Sequence, residues 1–122
     1  MALVNPPRDI YGDLFRKWCE SVAVKLTAPI YTVKYVDYDY TVTITDCAII
    51  VDTTSGDITI TLPLVDSAPL GRVIEVKKTS SDSNNVILDG EETIDGAASL
   101  SFSTQYAVRQ VVAGSSEWHV FY

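Results

Sequence analysis

The sequence predicts a mainly β protein, in which an amino-terminal amphipathic helix or arm precedes a small body of the β-sandwich or β-roll type. Three observations support this class. The chain has 122 residues, 47% of them hydrophobic and 20% charged, which is enough apolar surface for one packed core. Before residue 30 the apolar residues recur with a period close to four, as on one face of a helix. Beyond residue 32 they alternate with polar residues, as in half-buried strands.

Residues 1–34 form the predicted docking segment. Apolar residues from Ile10 to Leu26 recur every four positions, and the resulting stripe must be buried on the protein's own sheet or on a partner. Prolines delimit the helix at both ends. Five basic and three acidic side chains give this segment a net charge of +2. The residues expected to contact a capsid or another partner are Arg8, Ile10, Leu14, Arg16, Lys17, Trp18 and Val22.

Residues 35–122 form the predicted all-β body. The first predicted strand, 32–36, crosses the boundary between the docking segment and this body. Eight short segments are rich in Val, Ile, Thr and Tyr, which favour strands, and turn-forming residues separate them. Four basic and thirteen acidic side chains give residues 35–122 a net charge of −9. The predicted strands are 32–36, 40–45, 48–52, 57–62, 72–78, 85–89, 106–113 and 117–122.

Threonine lies opposite the aliphatic side chains in two of these strands. In DITITL (57–62) the aliphatic residues share one face, while Thr59 and Thr61 share the other. In YTVTIT (40–45) the same alternation places Ile44 in the core. A threonine face suits water, and it also suits packing against a second copy. Thr59 and Thr61 are therefore candidates for a subunit interface.

Tyrosine is concentrated at the start of the body, where four tyrosines fall within residues 31–40. A tyrosine ring combines a large rigid apolar face with a polar tip, so such a cluster can bind sugars or proteins. The simpler alternative is that alternate tyrosines flank the edge of a sheet. We take Tyr35, Tyr38 and Tyr40 as candidates for subunit or ligand contacts.

One short repeat has two interpretations. Leu88, Ile94 and Leu100 are six residues apart, and Asp-Gly pairs follow the first two. A six-residue period is typical of the rungs of a β-helix. Alternatively, the two Asp-Gly pairs are unrelated turns in neighbouring hairpins.

The composition argues against several classes of function. One His and two Cys are too few for a zinc site made of His and Cys alone. The histidine, His119, lies in the last predicted strand without a nucleophile motif around it, so we expect a partly exposed structural residue. We therefore expect no enzymatic activity, no metal and no cofactor. The acidic balance argues against nucleic acid as a partner, and no apolar run is long enough to cross a membrane.

The carboxylates and the thiols leave alternatives open. Paired carboxylates are what a glycosidase requires, but any acidic β protein contains such pairs. The acidic residues within 89–95 fail the EF-hand spacing, which leaves only a weak surface calcium site. Cys19 and Cys47 either pair or remain two thiols, and two thiols are the simpler reading in a reducing compartment.

Residues 41–122 resemble a β module of tailed-bacteriophage virion proteins, found in tail-fibre and tailspike segments and in small head-decoration proteins. The resemblance implies a trimerising, non-enzymatic scaffold. It covers about two-thirds of the chain, and the first 34 residues match nothing in it. The motifs that carry it are ITLPL, Arg72-Val73-Ile74, Val76-Lys77-Lys78, Glu92-Thr93-Ile94-Asp95-Gly96, Gln105-Tyr106 and a closing Gly-x-x-x-Trp.

The length of the chain favours one place on the virion. A tail fibre normally carries such a module within a much longer chain, so a compact chain of 122 residues is more similar to a capsid decoration, or cement, protein. We therefore expect a homotrimer, assembled in the host cytoplasm, that binds the major capsid protein on the head and stabilises the shell. The alternatives are a tail-associated component and a glycan-binding module.

Overall fold

The computed structural model describes residues 32–122, of which 52% lie in strands. The predicted mainly β class is therefore confirmed. The predicted helix, with the docking residues from Arg8 to Val22, lies outside the described residues. The described part contains nine strands: β1 (Thr32–Val36), β2 (Tyr40–Thr41), β3 (Asp46–Val51), β4 (Ile58–Thr61), β5 (Val73–Lys78), β6 (Val86–Ile94), β7 (Ala97–Phe102), β8 (Val108–Ala113) and β9 (Trp118–Val120).

The first six strands alternate between two parallel stacks. β1, β3 and β5 lie side by side in parallel, and so do β2, β4 and β6. In the first stack Val36, Val51 and Lys78 lie on one level. The chain therefore coils, and each turn of the coil lies one strand spacing, about 4.8 Å, from the turn before it.

The last three strands close the sheet. β7 forms a hairpin with β6, while β8 pairs antiparallel with both β5 and β9. β9 reaches β6 through the pair Ile94 and Trp118. All nine strands thus form one nearly closed, barrel-like sheet, in the order β1-β3-β5-β8-β9-β6-β4-β2 with β7 beside β6. A sandwich would instead have two separate sheets.

The core is formed by the inward side chains of every strand. Trp118 is its largest member, at 1% exposure, and its indole Nε1 donates a hydrogen bond to the carbonyl of Pro63 at 3.0 Å. The inward positions are mostly Val, Ile and Leu, whose burial is the main stabilising contribution. No helix among residues 32–122 is long and apolar enough to cross a membrane.

Each of the eight predicted strand segments contains a strand, but two details differ. β2 ends at Thr41, and the chain turns at residues 44–45, so Ile44 is 74% exposed and its predicted place in the core is wrong. β7 was not predicted, because its sequence AASLSF consists mostly of small residues that are poor strand formers.

The six-residue repeat is not a set of β-helix rungs. Leu88 pairs directly with Leu100 across the β6–β7 hairpin, and Asp95-Gly96 forms the turn of that hairpin with positive φ angles of 48° and 82°. The other Asp-Gly pair lies inside β6. The hairpin-turn interpretation therefore holds for one pair of the two. The coil formed by β1 to β6 has turns of unequal length, and each is much longer than six residues.

Candidate functional site: two outer faces of the sheet

The chemistry that could support catalysis is sparse in the described part of the chain. Residues 32–122 contain no group of three or more His, Cys, Asp or Glu side chains that could hold a metal ion. The ring of His119 is 46% exposed, and its Nδ1 lies 3.4 Å from Asp95 Oδ1. Gly114 lies against this ring, because an added Cβ would be 2.7 Å from two of its atoms. His119 thus packs on the turn before β9 as a partly exposed residue of the last strand.

The outer face of β1, β3, β5, β8 and β9 carries exposed apolar side chains. The backbone register places Val33 beside Ala48, and Val73 beside Val112. Phe121 joins the same face, because its N–H donates to the carbonyl of Gln110 at 2.8 Å. Val33, Val73 and Phe121 are 56%, 40% and 68% exposed. We call these five residues, Val33, Ala48, Val73, Val112 and Phe121, the apolar patch.

The same face becomes polar at the carboxyl ends of its parallel strands. Asp37 follows β1, Asp52 follows β3 and Thr79 follows β5. These three positions are neighbours, because the N–H of Asp52 donates to the carbonyl of Val36 and the N–H of Thr79 donates to the carbonyl of Val51, both at 2.9 Å. They line a shallow groove of about 380 Å³ together with Tyr35, Val36 and Ile50. We call this the acidic groove.

A second exposed tyrosine lies beyond the acidic groove. The N–H of Tyr106 donates to the carbonyl of Lys78 at 2.8 Å, and the ammonium of Lys77 lies 5.5 Å from the centre of the Tyr106 ring. Tyr106 is 62% exposed and has a φ of +66°. A bulky residue rarely adopts this left-handed conformation, and strain of this kind concentrates at functional sites.

The outer face of β2, β4, β6 and β7 differs in chemistry. Many of its outward positions are occupied by hydroxyl side chains. In β4, Ile58 and Ile60 are buried, whereas Thr59 and Thr61 are half-buried on the opposite side. The predicted threonine face of 57–62 is therefore confirmed. Backbone register places Thr61 between Thr41 and Asp89, and it places Thr59 beside Ile87, which in turn neighbours Ser101. We call this set the hydroxyl face: Thr41, Thr59, Thr61, Ser99 and Ser101.

The three candidate tyrosines occupy different environments. Tyr35 is 71% exposed at the acidic groove, and Tyr38 is 51% exposed. Tyr40 packs against the core, and its hydroxyl donates to Asp46 Oδ2 at 2.6 Å. Tyr38 and Tyr40 form an edge-to-face pair with ring centres 6.4 Å apart. Tyr35 and Tyr38 therefore present their rings to solvent, whereas Tyr40 has a packing role.

The Tyr40 contact shifts the acidity of both partners. Burial and the hydrogen bond to Asp46 raise the pKa of the Tyr40 hydroxyl. Burial acts to raise the pKa of Asp46, but hydrogen bonds from Tyr40 and Thr43 outweigh it and lower that pKa. Arg72 holds the same loop, because its Nη2 donates to the carbonyls of Thr43 and Asp46 at 2.8 and 2.6 Å.

Lys78 is a buried residue that the sequence pattern did not single out. It is 0% exposed, and its Nζ donates to the carbonyls of Asp82, Asn84 and Ser103 at 2.6 to 2.7 Å. Asp82 Oδ1 lies 3.3 Å from the same Nζ and also accepts a hydrogen bond from Thr53 Oγ1. Hydrogen bonds, first from Ser80 and then from Thr53, hold the pKa of Asp82 far below its usual value. This cluster joins the loops that follow β3, β5 and β7, at the end of the sheet where the acidic groove lies.

Comparisons with known proteins add no relative to these observations. No protein-family model matches the chain, and no curated protein matches its sequence.

Proposed function

We propose that the protein is a bacteriophage virion structural protein, a capsid decoration protein that binds the assembled head as a homotrimer and stabilises it. The resemblance of residues 41–122 to phage virion modules suggests this class. On the virion, the partners would be other copies of the chain and the major capsid protein. The protein would be made in the host cytoplasm and would end on the surface of the phage head.

The observation that carries the proposal is the apolar patch. Three of its side chains are 40% or more exposed on one outer face of the sheet. The hydrogen-bonded pair Glu75 and Gln110 lies between Ala48 and Phe121 on this face. Exposed apolar side chains gathered on one face are a feature of protein interfaces, which also contain hydrogen-bonded polar pairs. Around a threefold axis the patch of each copy would face those of the other two, which removes this surface from water and leaves the hydroxyl face outward.

A protein of this kind stabilises a shell by mass action. It binds the assembled lattice and not the separated subunits, so its binding free energy adds to the stability of the lattice. The body needs no catalytic group for such a role. The amino-terminal segment, with its net charge of +2 and its apolar stripe, would make the capsid contact, leaving the acidic body outside.

A tail component is the second candidate, and the parallel coil favours it. β1, β3 and β5 stack in register, as do the strands of elongated solenoid proteins, which grow by adding turns. A fibre could continue the same stack beyond β1. The class of virion structural protein would be unchanged, and only the location would differ.

Imaging of the virion tests both locations. An antibody raised against the purified full chain should decorate the heads of intact phage particles at many regularly spaced positions. Decoration at the tail alone would replace the capsid role by the tail role. Particles that contain no copies of the chain would overturn both.

A second experiment tests the docking segment in the full chain. We expect the triple substitution Arg8→Glu, Arg16→Glu and Lys17→Glu to abolish binding to particles depleted of the protein. A control on the body, Lys77→Glu, reverses a charge at an outward position outside the docking segment and should bind like the wild type. Unchanged binding by the triple variant would remove the docking role from this segment.

A further inference from the structure

The acidic groove has an unusual combination of side chains for a sheet face. Its lining combines the exposed ring of Tyr35 and the aliphatic Val36 and Ile50 with three polar residues, Asp37, Asp52 and Thr79. The three polar residues follow adjacent parallel strands, so they form a row that is one strand spacing, about 4.8 Å, from member to member. Such a row offers regularly spaced oxygen atoms beside an apolar ring.

The carboxylate of Asp52 is held in a fixed orientation. Its Oδ1 accepts hydrogen bonds from the N–H of Thr54 at 2.9 Å and from the Thr54 hydroxyl. These bonds lower the pKa of Asp52, so the group remains ionised in neutral and mildly acidic solution. An ionised carboxylate accepts stronger hydrogen bonds than a neutral oxygen does. Asp52 is therefore a preorganised acceptor for hydroxyl donors.

The row continues toward the second exposed tyrosine. Tyr106 follows Thr79 in the backbone register, and Lys77 lies against its ring. Four neighbouring positions, from Asp37 to Tyr106, span three strand spacings, or about 14 Å. Tyr106 lies one strand spacing beyond the acidic groove, so the groove and this tyrosine form an open surface with an aromatic ring toward each end. We call this open surface the cleft; sites for small molecules, in contrast, usually enclose most of the ligand.

We propose that this cleft binds an uncharged oligosaccharide. The apolar face of a sugar ring packs on a tyrosine ring, and adjacent sugar hydroxyls can donate to one carboxylate together. The open ends let a chain of sugars pass through. Two carboxylates against one ammonium leave a net negative charge, which repels anionic saccharides. This inference does not depend on the virion role.

Protein binding fits this end of the face less well. The cores of protein interfaces are depleted of charged residues, yet the acidic groove has two aspartates in its lining. The apolar patch, at the opposite ends of the same strands, fits a protein partner better. The two ends of one face would then have separate ligands.

Saccharide binding can be tested with the full chain on a glycan array, followed by titration with maltotetraose, cellotetraose and tri-N-acetylchitotriose by ligand-observed NMR. We expect saturable binding of at least one uncharged glycan. Tyr35→Ala should weaken that binding at least tenfold, and Asp52→Asn about tenfold, because the amide loses the charge of the acceptor while keeping its shape.

Matched controls separate the groove from general effects. Tyr122→Ala removes an equally exposed tyrosine, at 74%, outside the acidic groove, and should leave the affinity unchanged. Asp66→Asn removes an exposed aspartate from the loop after β4 and should also be neutral. Thermal unfolding of each variant verifies that it is folded. If Tyr35→Ala does not fold, Asp52→Asn alone tests the role of the groove.

Three results would overturn the inference. The first is the absence of saturable binding to any glycan of the array and to the three oligosaccharides. The second is equal loss of affinity in Tyr122→Ala and Tyr35→Ala. The third is a change in the oligomeric mass of Tyr35→Ala with no change in glycan affinity, which would make this end of the face a protein interface.

Discussion

The two outer faces of the sheet follow the same alternation of inward and outward residues, yet they present opposite chemistry. On the hydroxyl face, Thr and Ser side chains, which water satisfies, flank the outward residues Ile87 and Asp89 of β6. On the other face the apolar patch and two tyrosines remain exposed. Exposed apolar side chains gathered on one face are a feature of interaction sites, so this difference is the basis on which we propose the interface on the face with the apolar patch.

The largest expected effect concerns the interior that both faces share. Lys78→Met should lower the free energy of unfolding by about 3 kcal/mol, because it removes the buried Nζ that donates to three carbonyls and leaves Asp82 without this cation. Denaturant titration measures the change. The control is Lys77→Met on the neighbouring outward position, which should cost less than about 1 kcal/mol. Equal losses would mean that inward and outward positions of β5 are not distinguished.

The next effect separates an inward tyrosine from an outward one. Tyr40→Phe should cost about 1.5 kcal/mol, because Asp46 loses a short hydrogen bond and is only 5% exposed. Tyr35→Phe removes a hydroxyl from an exposed ring and should change stability by less than about 0.5 kcal/mol. Chemical denaturation of both variants compares them. A costly Tyr35→Phe would contradict the placement of Tyr35 on the outer face.

Acid should destabilise the fold, because several hydrogen-bonded carboxylates fix the turns between the strands. The pKa values of Asp46, Asp52, Asp82 and Glu117 are lowered by hydrogen bonds in the folded state. Their contribution is present above the ordinary carboxyl pKa, about 4, and is lost as the pH falls below it. The melting temperature should therefore be nearly constant from pH 7 to about pH 5 and fall below about pH 4.

Asp82→Asn tests the source of this acid response. Asp82 Oδ2 has no hydrogen-bond partner within the described residues, so an amide nitrogen there breaks no bond among them. The melting temperature of this variant should depend less on pH below about pH 4 than that of the wild type. Asp66→Asn, at an exposed position, should keep the wild-type profile. Identical profiles for all three proteins would contradict the assignment.

The smallest expected effect concerns Tyr106, which has a positive φ angle and lies on the same outer face as the apolar patch. Tyr106→Asn should raise the free energy of unfolding by about 0.5 kcal/mol, because Asn tolerates a φ of +66° better than Tyr does. Thermal unfolding measures the gain. A loss of stability instead would mean that the contact with Lys77 outweighs the strain.

Much of the fold follows from the sequence because the alternation of Val, Ile and Thr identifies strands directly. It does not identify their partners, so the parallel coil was not predicted. The alternation also continues past the end of β2, where the chain turns and Ile44 becomes exposed. β7 was missed because Ala and Ser carry little strand signal.

The candidate site was predicted in part. The tyrosine cluster indicated Tyr35, but Asp52 and Thr79 are distant from it in sequence and meet it only through the register of β1, β3 and β5. The alternation in β5 places Lys78 on the inward side with Ile74 and Val76, but it does not show that the carbonyls that accept from its Nζ lie on two separate loops. Periodicity assigns faces to residues within one strand, whereas sites form across strands.

The most direct test of the account is the mass of the full chain in solution by sedimentation at micromolar concentration. The wild type should have three times the chain mass of 13.4 kDa. The double substitution Val33→Glu and Phe121→Glu on the apolar patch should give the single-chain mass, and Thr59→Glu with Thr61→Glu on the hydroxyl face should leave the trimer intact. A monomeric wild type, or a trimer lost only by the hydroxyl-face variant, would contradict the assignment of the apolar patch as the interface.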